Sequence, residues 1–308
     1  MTALLTAFLE WVASHLGWEA LVNSIHGLVR KLRRYRSGRP ADHWVQRINA
    51  AMAAEVRIHC TPAEDPVIVI EGDHPLTSTQ AASASAQRQL LEQLKRPNDM
   101  HGIVVNDPVW NSARVHLAVR TLDFAGVRAL RLEGRRPLVL SAGALLVCSA
   151  TQEVLLHRRG LNMDKYSSCL HTTGGGYMPP SSHGRDDGTS LRATAEREVH
   201  EETRLALPPG ASPPRLLAQE LATGFIQLLY LGFDLPRAAV ERAQPNWEGH
   251  IERVPFSALH AVLLRSDWVP SGKAHVLAWL ALGAPGAGDA PRFGVLTPTQ
   301  LFAQHVGS

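Results

Sequence analysis

Arg197-Glu198-Val199-His200-Glu201-Glu202 is the stretch on which the fold and chemistry of this chain turn. It lies in a helix-forming run from about Ser190 to Arg204. At 100° per residue, with Leu191 at zero, Glu198 and Glu202 fall within ~20° of Leu191, Ala195 at ~40° and Leu205 at about −40°. Two acids therefore share the apolar stripe, with Glu201 at its edge and His200 opposite, on the solvated side. Acids on an inward arc are costly unless something pairs with them. Convergent carboxylates repel and rise in pKa unless a cation neutralises them. A hard divalent cation, Mg²⁺ or Mn²⁺, is the natural resolution, and a merely structural acid cluster is the competing one. Arg197 stands at i−4 to Glu201 and can hold that carboxylate in place.

Working outward, Thr173-Gly174-Gly175-Gly176 forms a turn, followed by a loop rich in Pro, Ser, Gly and Asp through Gly188. Before the turn, Val139 to Cys148 reads as a buried strand with Glu153 to Arg158 as its hairpin partner. After the helix, Leu216–Leu221 and Ile226–Phe233 read as strands, and Pro255–Leu264 and Lys273–Leu282 as helices. The Gly/Ala/Pro-rich stretch Gly283 to Pro291 is expected to be flexible.

This pattern resembles the Nudix box of the Nudix hydrolase superfamily: a glycine, five residues, Glu, seven residues, then Arg-Glu-aliphatic-x-Glu-Glu-x-Gly-aliphatic. Arg197, Glu198, Val199, Glu201, Glu202 and Leu205 match its carboxyl half, and the likeness covers about Leu138 to Leu282. There are three departures. Thr189 stands where the box has its first glutamate, and Arg204 where it has the second glycine. The loop between Gly175 and Arg197 is longer by about eight residues, with Pro179 to Asp187 as the surplus. This insertion is either a substrate lid or a tether.

The resemblance implies cleavage of a nucleoside diphosphate linked to another moiety, by water attack on phosphorus with divalent metal bound to the pyrophosphate. It makes Glu198, Glu201 and Glu202 the metal-binding and base-supporting acids and Arg197 the residue that orients them. Gly174, Gly175 and Gly176 would let the backbone approach the phosphates. A further metal-binding acid is expected from the Trp247-Glu248-Gly249 loop, with Glu248 ahead of Glu252. Phe225, Tyr177 and Trp247 are candidates for base stacking, and His171, Arg158, Arg159 and Lys165 for phosphate contact. The competing reading is a Nudix-fold nucleotide sensor that binds without turnover.

The flanking sequence says less. Leu5, Leu9, Val12 and Leu16, then Leu21, Ile25, Leu28 and Leu32, recur at helical spacing, and a basic cluster runs from Arg30 to Arg39. Residues 1–39 are expected to be an amphipathic helical hairpin packing on the body or on a second copy as a homodimer. Contact with an anionic membrane surface or nucleic acid is the alternative. Residues 40–135 are expected to be a small α+β unit, with strands at Val56–Cys60 and Val67–Ile70, a helix over Thr77–Lys95, and mixed signals over Arg114–Leu132. The domain reading is thus 1–39, 40–135, a Nudix domain at 136–284 and a tail at 285–308. The fold class is α/β: an α/β/α sandwich around a mixed sheet, preceded by the small α+β unit and the amphipathic helices.

Bulk properties are consistent with this. The 308 residues are 45% hydrophobic and 19% charged, which excludes a disordered or collagen-like chain. A net charge of +3 argues against nucleic-acid binding by the whole surface. Cys60, Cys148 and Cys169 are too few and scattered for a disulfide framework, and no CxxC pair is present. A cytoplasmic location is expected, peripheral to a membrane if residues 1–39 bind one.

Overall fold

The computed structural model describes residues 43–106, 115–161, 163, 165–179, 190–289 and 291–306. The expected amphipathic hairpin and basic cluster, Thr189, and the loop insertion beyond Pro179 lie outside the described residues. The chain divides into two units, Met1–Gln46 and Arg47–Ser308. Everything below concerns the second.

Its eleven described strands form one mixed sheet. They are β1 (Val56–Cys60), β2 (Val67–Asp73), β3 (Met100–Val104), β4 (His116–Asp123), β5 (Leu138–Cys148), β6 (Glu153–Arg159), β7 (Leu170–Thr172), β8 (Gly175–Tyr177), β9 (Arg215–Glu220), β10 (Phe225–Asp234) and β11 (Gly249–Pro255). The order along the main path is β1-β9-β10-β5-β3-β4-β2, and β6 carries β7 and β11 on a curled branch. The longer helices are α1 (Ser78–Gln93), α2 (Phe124–Leu132), α3 (Leu191–Thr203), α4 (Pro270–Ala281) and α5 (Pro298–Val306).

β5 organises the sheet. Its sequence LVLSAGALLVC is apolar almost throughout, as a strand covered on both faces requires. One edge pairs in parallel with β10 from Val139 to Val147. The other edge changes partner along its length: β3 at Leu138 and Val139, β8 at Ser141–Gly143, then β6 at Leu146–Cys148. Alternation sends Leu140, Ala142, Ala144 and Leu146 into one core with Leu191, Ala195 and Val199 of α3. Val139 joins Ile103, Leu122, Val127 and Leu130 in a second core with α2.

The expected strands and helices are present with shifts of a few residues at most. Two elements differ. Pro255–Leu264 is not one helix but a 3₁₀ turn, Phe256–Ala258, and a single α-turn, Leu259–Leu263. The stretch expected to be flexible is packed instead: Ala284 and Ala287 are buried, and the Trp279 indole N–H donates to Pro285 O at 2.9 Å. Arg114–Leu132 resolves into β4 followed directly by α2, with Asp123 capping the helix onto Gly126 N. Ile103 and Val104 of β3 pair with Val139 and Leu138, so the sheet runs continuously past residue 136.

α3 is set by its ends. The Ser190 hydroxyl accepts from Ala193 N at the start. At the finish Arg204 takes a left-handed conformation, φ 61°, with its N–H donating to His200 O. Here the box motif has glycine, which adopts this conformation without a Cβ penalty. Arg204→Gly is therefore expected to stabilise the fold by about 1 kcal/mol, seen as a rise of roughly 2–4 °C in Tm. An unchanged or lower Tm would mean that the arginine side chain offsets the strain.

Candidate active site

The helical wheel of α3 describes its environment closely. Glu198 is 9% exposed and Glu202 4%, whereas Glu201 and His200 are exposed. The two buried acids face the glycine turn. Gly174 N donates to Glu202 Oε2 at 2.9 Å. A Cβ at Gly176 would fall on the Glu198 carboxyl, and one at Gly174 on the Val199 side chain and 2.9 Å from its Cα. Gly174 also has φ 63°, and its carbonyl accepts from Ala144 N of β5 at 3.0 Å. The glycines are thus needed for the close approach of α3 to the sheet as well as for their conformation.

Arg197 acts as a clamp. Its Nη1 lies 2.8 Å from Glu198 Oε1 and 3.1 Å from Glu201 Oε2, and its Nη2 donates to Tyr177 O at 3.0 Å. It joins two of the acids to the end of β8.

Burial pushes the Glu198 carboxyl up to about 7; Arg197 opposes this, while Glu201 and Glu248 add to it. Glu202 is raised well above the ordinary carboxylate value by burial and by the charges of Glu198 and Glu248, against the Gly174 N–H and Arg159. Glu248 is raised too, by burial, opposed by Arg159. The loop acid picked from the sequence therefore lies within the field of the helix acids. Asn246 Nδ2 donates to Glu201 O at 3.2 Å, which ties that loop to α3.

His157 of β6 was not singled out in the sequence. It is 3% exposed, with Nδ1 3.5 Å from Glu202 Oε2, and burial lowers its pKa to about 4. It is a neutral ring beneath the acid. Its one sequence signal is its place in a strand opposite the box, three residues before Gly160.

The other candidates separate. Arg158 uses four of its five N–H donors: Nε and Nη2 donate to Glu252 Oε2 at 2.9 and 2.7 Å, and Nη1 to Asp267 Oδ2 at 2.6 Å and Ser168 O at 2.7 Å. Glu252 is thereby committed to Arg158 and, at 3.2 Å, to Arg265. His171 is buried, its Nδ1 3.0 Å from Thr172 O, and its pKa falls well below the usual value by burial and the nearby His275. Lys165 is exposed. Tyr177 and Phe225 pack together, centroids 5.3 Å apart, with Arg131 4.9 Å over the Phe225 ring and His101 beside Tyr177. Trp247 stands 70% exposed.

The donor set is hard oxygen throughout, which suits Mg²⁺ or Mn²⁺ in chemistry. Among the described residues, however, no three His, Cys, Asp or Glu side chains already converge as a metal cage. The acids' raised proton affinities express the same unbalanced charge that a cation would offset.

The fold is α/β, a mixed sheet with the acid-bearing α3 packed against β5 and the glycine turn. No family profile matches the sequence, and no curated protein matches it. Solved structures similar to it include the MutT protein of Methanosarcina mazei Go1, at 25% identity over 46% of this chain and 90% of that one, with a TM-score of 0.34. The Nudix domain of Shewanella oneidensis NrtR, complexed with ADP ribose, is 14% identical over 41% of this chain and 79% of that one, TM-score 0.31. A bifunctional NMN adenylyltransferase/ADP ribose pyrophosphatase of Francisella tularensis, complexed with AMP and a Mn ion, is 13% identical over 48% and 40%, TM-score 0.33. No described helix is long and apolar enough to cross a membrane.

Proposed function

We propose that this chain is a divalent-metal-dependent hydrolase that cleaves the pyrophosphate linkage of a nucleoside diphosphate derivative, with residues 136–284 as the catalytic domain. The observation that carries the reading is the pair Glu198 and Glu202, buried on one face of α3 against the glycine turn with Glu248 within their field. A structural acid cluster would be solvated; these carboxylates are held inside without enough positive charge to balance them. Glu198, Glu202, Glu201 and Glu248 would hold Mg²⁺ or Mn²⁺. The metal would offset the charge of the anhydride and make phosphorus more open to attack.

The chain's own residues supply the rest. Arg197 holds Glu198 and Glu201 in register. The Gly174 N–H fixes Glu202 through Oε2, which leaves Oε1 for metal or for a proton from the attacking water. The glycine backbone permits close approach of a phosphate. The runner-up is a nucleotide sensor with the same fold. In its favour, Arg197 already occupies Glu198, and the acids are not converged.

The deciding experiment incubates ADP-ribose, NADH, dinucleoside polyphosphates, nucleotide sugars, coenzyme A and nucleoside triphosphates with Mg²⁺ or Mn²⁺ and reads the phosphomonoester or pyrophosphate products, for example as phosphate freed by added alkaline phosphatase and pyrophosphatase. Metal-dependent cleavage of one of them that Glu202→Gln lacks supports the hydrolase. No turnover, with one ligand still raising the Tm, moves the assignment to the sensor.

A further inference from the structure

We infer that Arg159, and not its neighbour Arg158, is the side chain that grips a phosphate of the anhydride. The inference rests on the hydrolase reading and adds to it a substrate-binding residue. Two consecutive arginines on a strand point to opposite faces. The alternation of β6 puts Arg159 on the same side as His157, whose Nδ1 is 3.5 Å from Glu202 Oε2. It puts Arg158 on the other side, inside the ion network of Glu252, Asp267 and Arg265. Arg158 has four of its five N–H donors committed there and to Ser168 O.

Arg159 is in the opposite condition. Among the described residues it forms no ion pair, and its Nε is buried without a hydrogen-bond partner. Yet its charge is felt at Glu202 and Glu248, and at His171 and Tyr177, which flank the glycine turn. The acids and the residues flanking the turn are thus both within reach of its field. Its partner across the strand pair is Gly249, which has no side chain to cover it. The next residue, Gly160, donates its N–H to Glu248 O at 2.5 Å, which holds the acidic loop alongside.

A buried guanidinium N–H without an acceptor is costly, and nearby acids that could accept from it do not. An anion that arrives with the metal would complete it. The planar fork of arginine matches two phosphate oxygens, so the fitting ligand is a di- or polyphosphate whose phosphates run from the acids toward Gly174. The rival role for Arg159 is a counter-charge that only relieves repulsion among the acids.

The test titrates methylenediphosphonate, a pyrophosphate analogue that is not hydrolysed, into the full-length protein with Mg²⁺ present. Mn²⁺ affinity without the analogue is read in parallel by electron paramagnetic resonance. Arg159→Gln is expected to weaken the analogue about 10- to 100-fold while Mn²⁺ affinity changes less than about threefold; Arg159→Lys should recover part of the loss. Arg158→Gln should lower the Tm and leave analogue affinity nearly unchanged in the protein that remains folded. Analogue binding by Arg159→Gln equal to that of the parent would overturn the inference, as would no binding by the parent. A change in Mn²⁺ affinity that accounts for the whole loss would assign Arg159 the counter-charge role instead. The hydrolase reading is scored separately, by turnover in the parent against Glu202→Gln. Turnover with Arg159-independent binding would sink only the inference; Arg159-dependent binding without turnover would sink only catalysis.

Discussion

Replacing Glu202 by Gln is expected to lower turnover by about a thousandfold or more and, in metal-free protein at pH 8, to raise the Tm. The two effects share one cause. Glu202 is buried beside Glu198 and its proton affinity is raised well above the ordinary carboxylate value of 4.5. Between that value and its folded pKa the native state keeps a proton that the unfolded chain has lost. The stability contributed by these acids therefore falls as pH rises through this window, which for Glu198 extends to about 7. The neutral amide removes the charge and can still accept from Gly174 N–H, so a gain of roughly 1–3 kcal/mol at pH 8 is expected. The Tm gap between variant and parent should be widest at pH 8 and close toward pH 5.5, where the folded parent keeps the Glu202 proton; the buried histidines, whose lowered pKa values favour high pH, act alike in both proteins. Adding Mg²⁺ or Mn²⁺ at pH 8 should raise the Tm of the parent and much less that of the variant. A variant that melts well below the parent at pH 8 would mean that the carboxylate is already balanced and the site misassigned.

Gly174→Ala is expected to destabilise the fold by about 3 kcal/mol or more, roughly 6 °C or more in Tm. The left-handed backbone alone accounts for about 1 kcal/mol. The remainder comes from the Cβ meeting Val199, including its backbone N at 3.0 Å, which would push α3 off the sheet. Gly210→Ala separates the two contributions. Gly210 has φ 72° but nothing within 4 Å of an added Cβ, so it carries the conformational penalty without the clash. Equal losses at the two positions would show that the close packing of α3 on the turn contributes little. Thermal or urea unfolding measures both.

The sequence made α3 and its surroundings legible because their signal is local. A 3.6-residue period with acids on the apolar side is visible in fifteen residues, and the structure places Glu198 and Glu202 inward and His200 outward as that period requires. What was not legible depends on distant pairing. Val56–Cys60 and Val67–Ile70 read as neighbouring strands, but β1 pairs with β9 and β2 with β4. No local pattern distinguishes Arg158 from Arg159 until Glu252 and Asp267 are brought beside one of them. The packing of Ala284 and Ala287 was hidden because small residues look like linker in composition, yet they fit where bulk does not. His157 could not be linked to Glu202 without knowing that β6 comes up to the last turn of α3.

The parallel pairing of β5 with β10 has a consequence for how the chain is made. Ser141 of β5, whose hydroxyl donates to Ile226 O of β10, is 85 residues from it. Closing a loop of that length costs about 4 kcal/mol in chain entropy before any contact is gained. The glycine turn, α3 and the inserted loop all lie inside it. Until Asp234 has left the ribosome, β5 has an uncovered edge along a mostly apolar run, which is the arrangement most open to pairing with another chain. Synthesis of this protein therefore passes through one vulnerable interval, and a pause placed between codons 148 and 225 should cost yield of folded product more than the same pause placed after codon 240.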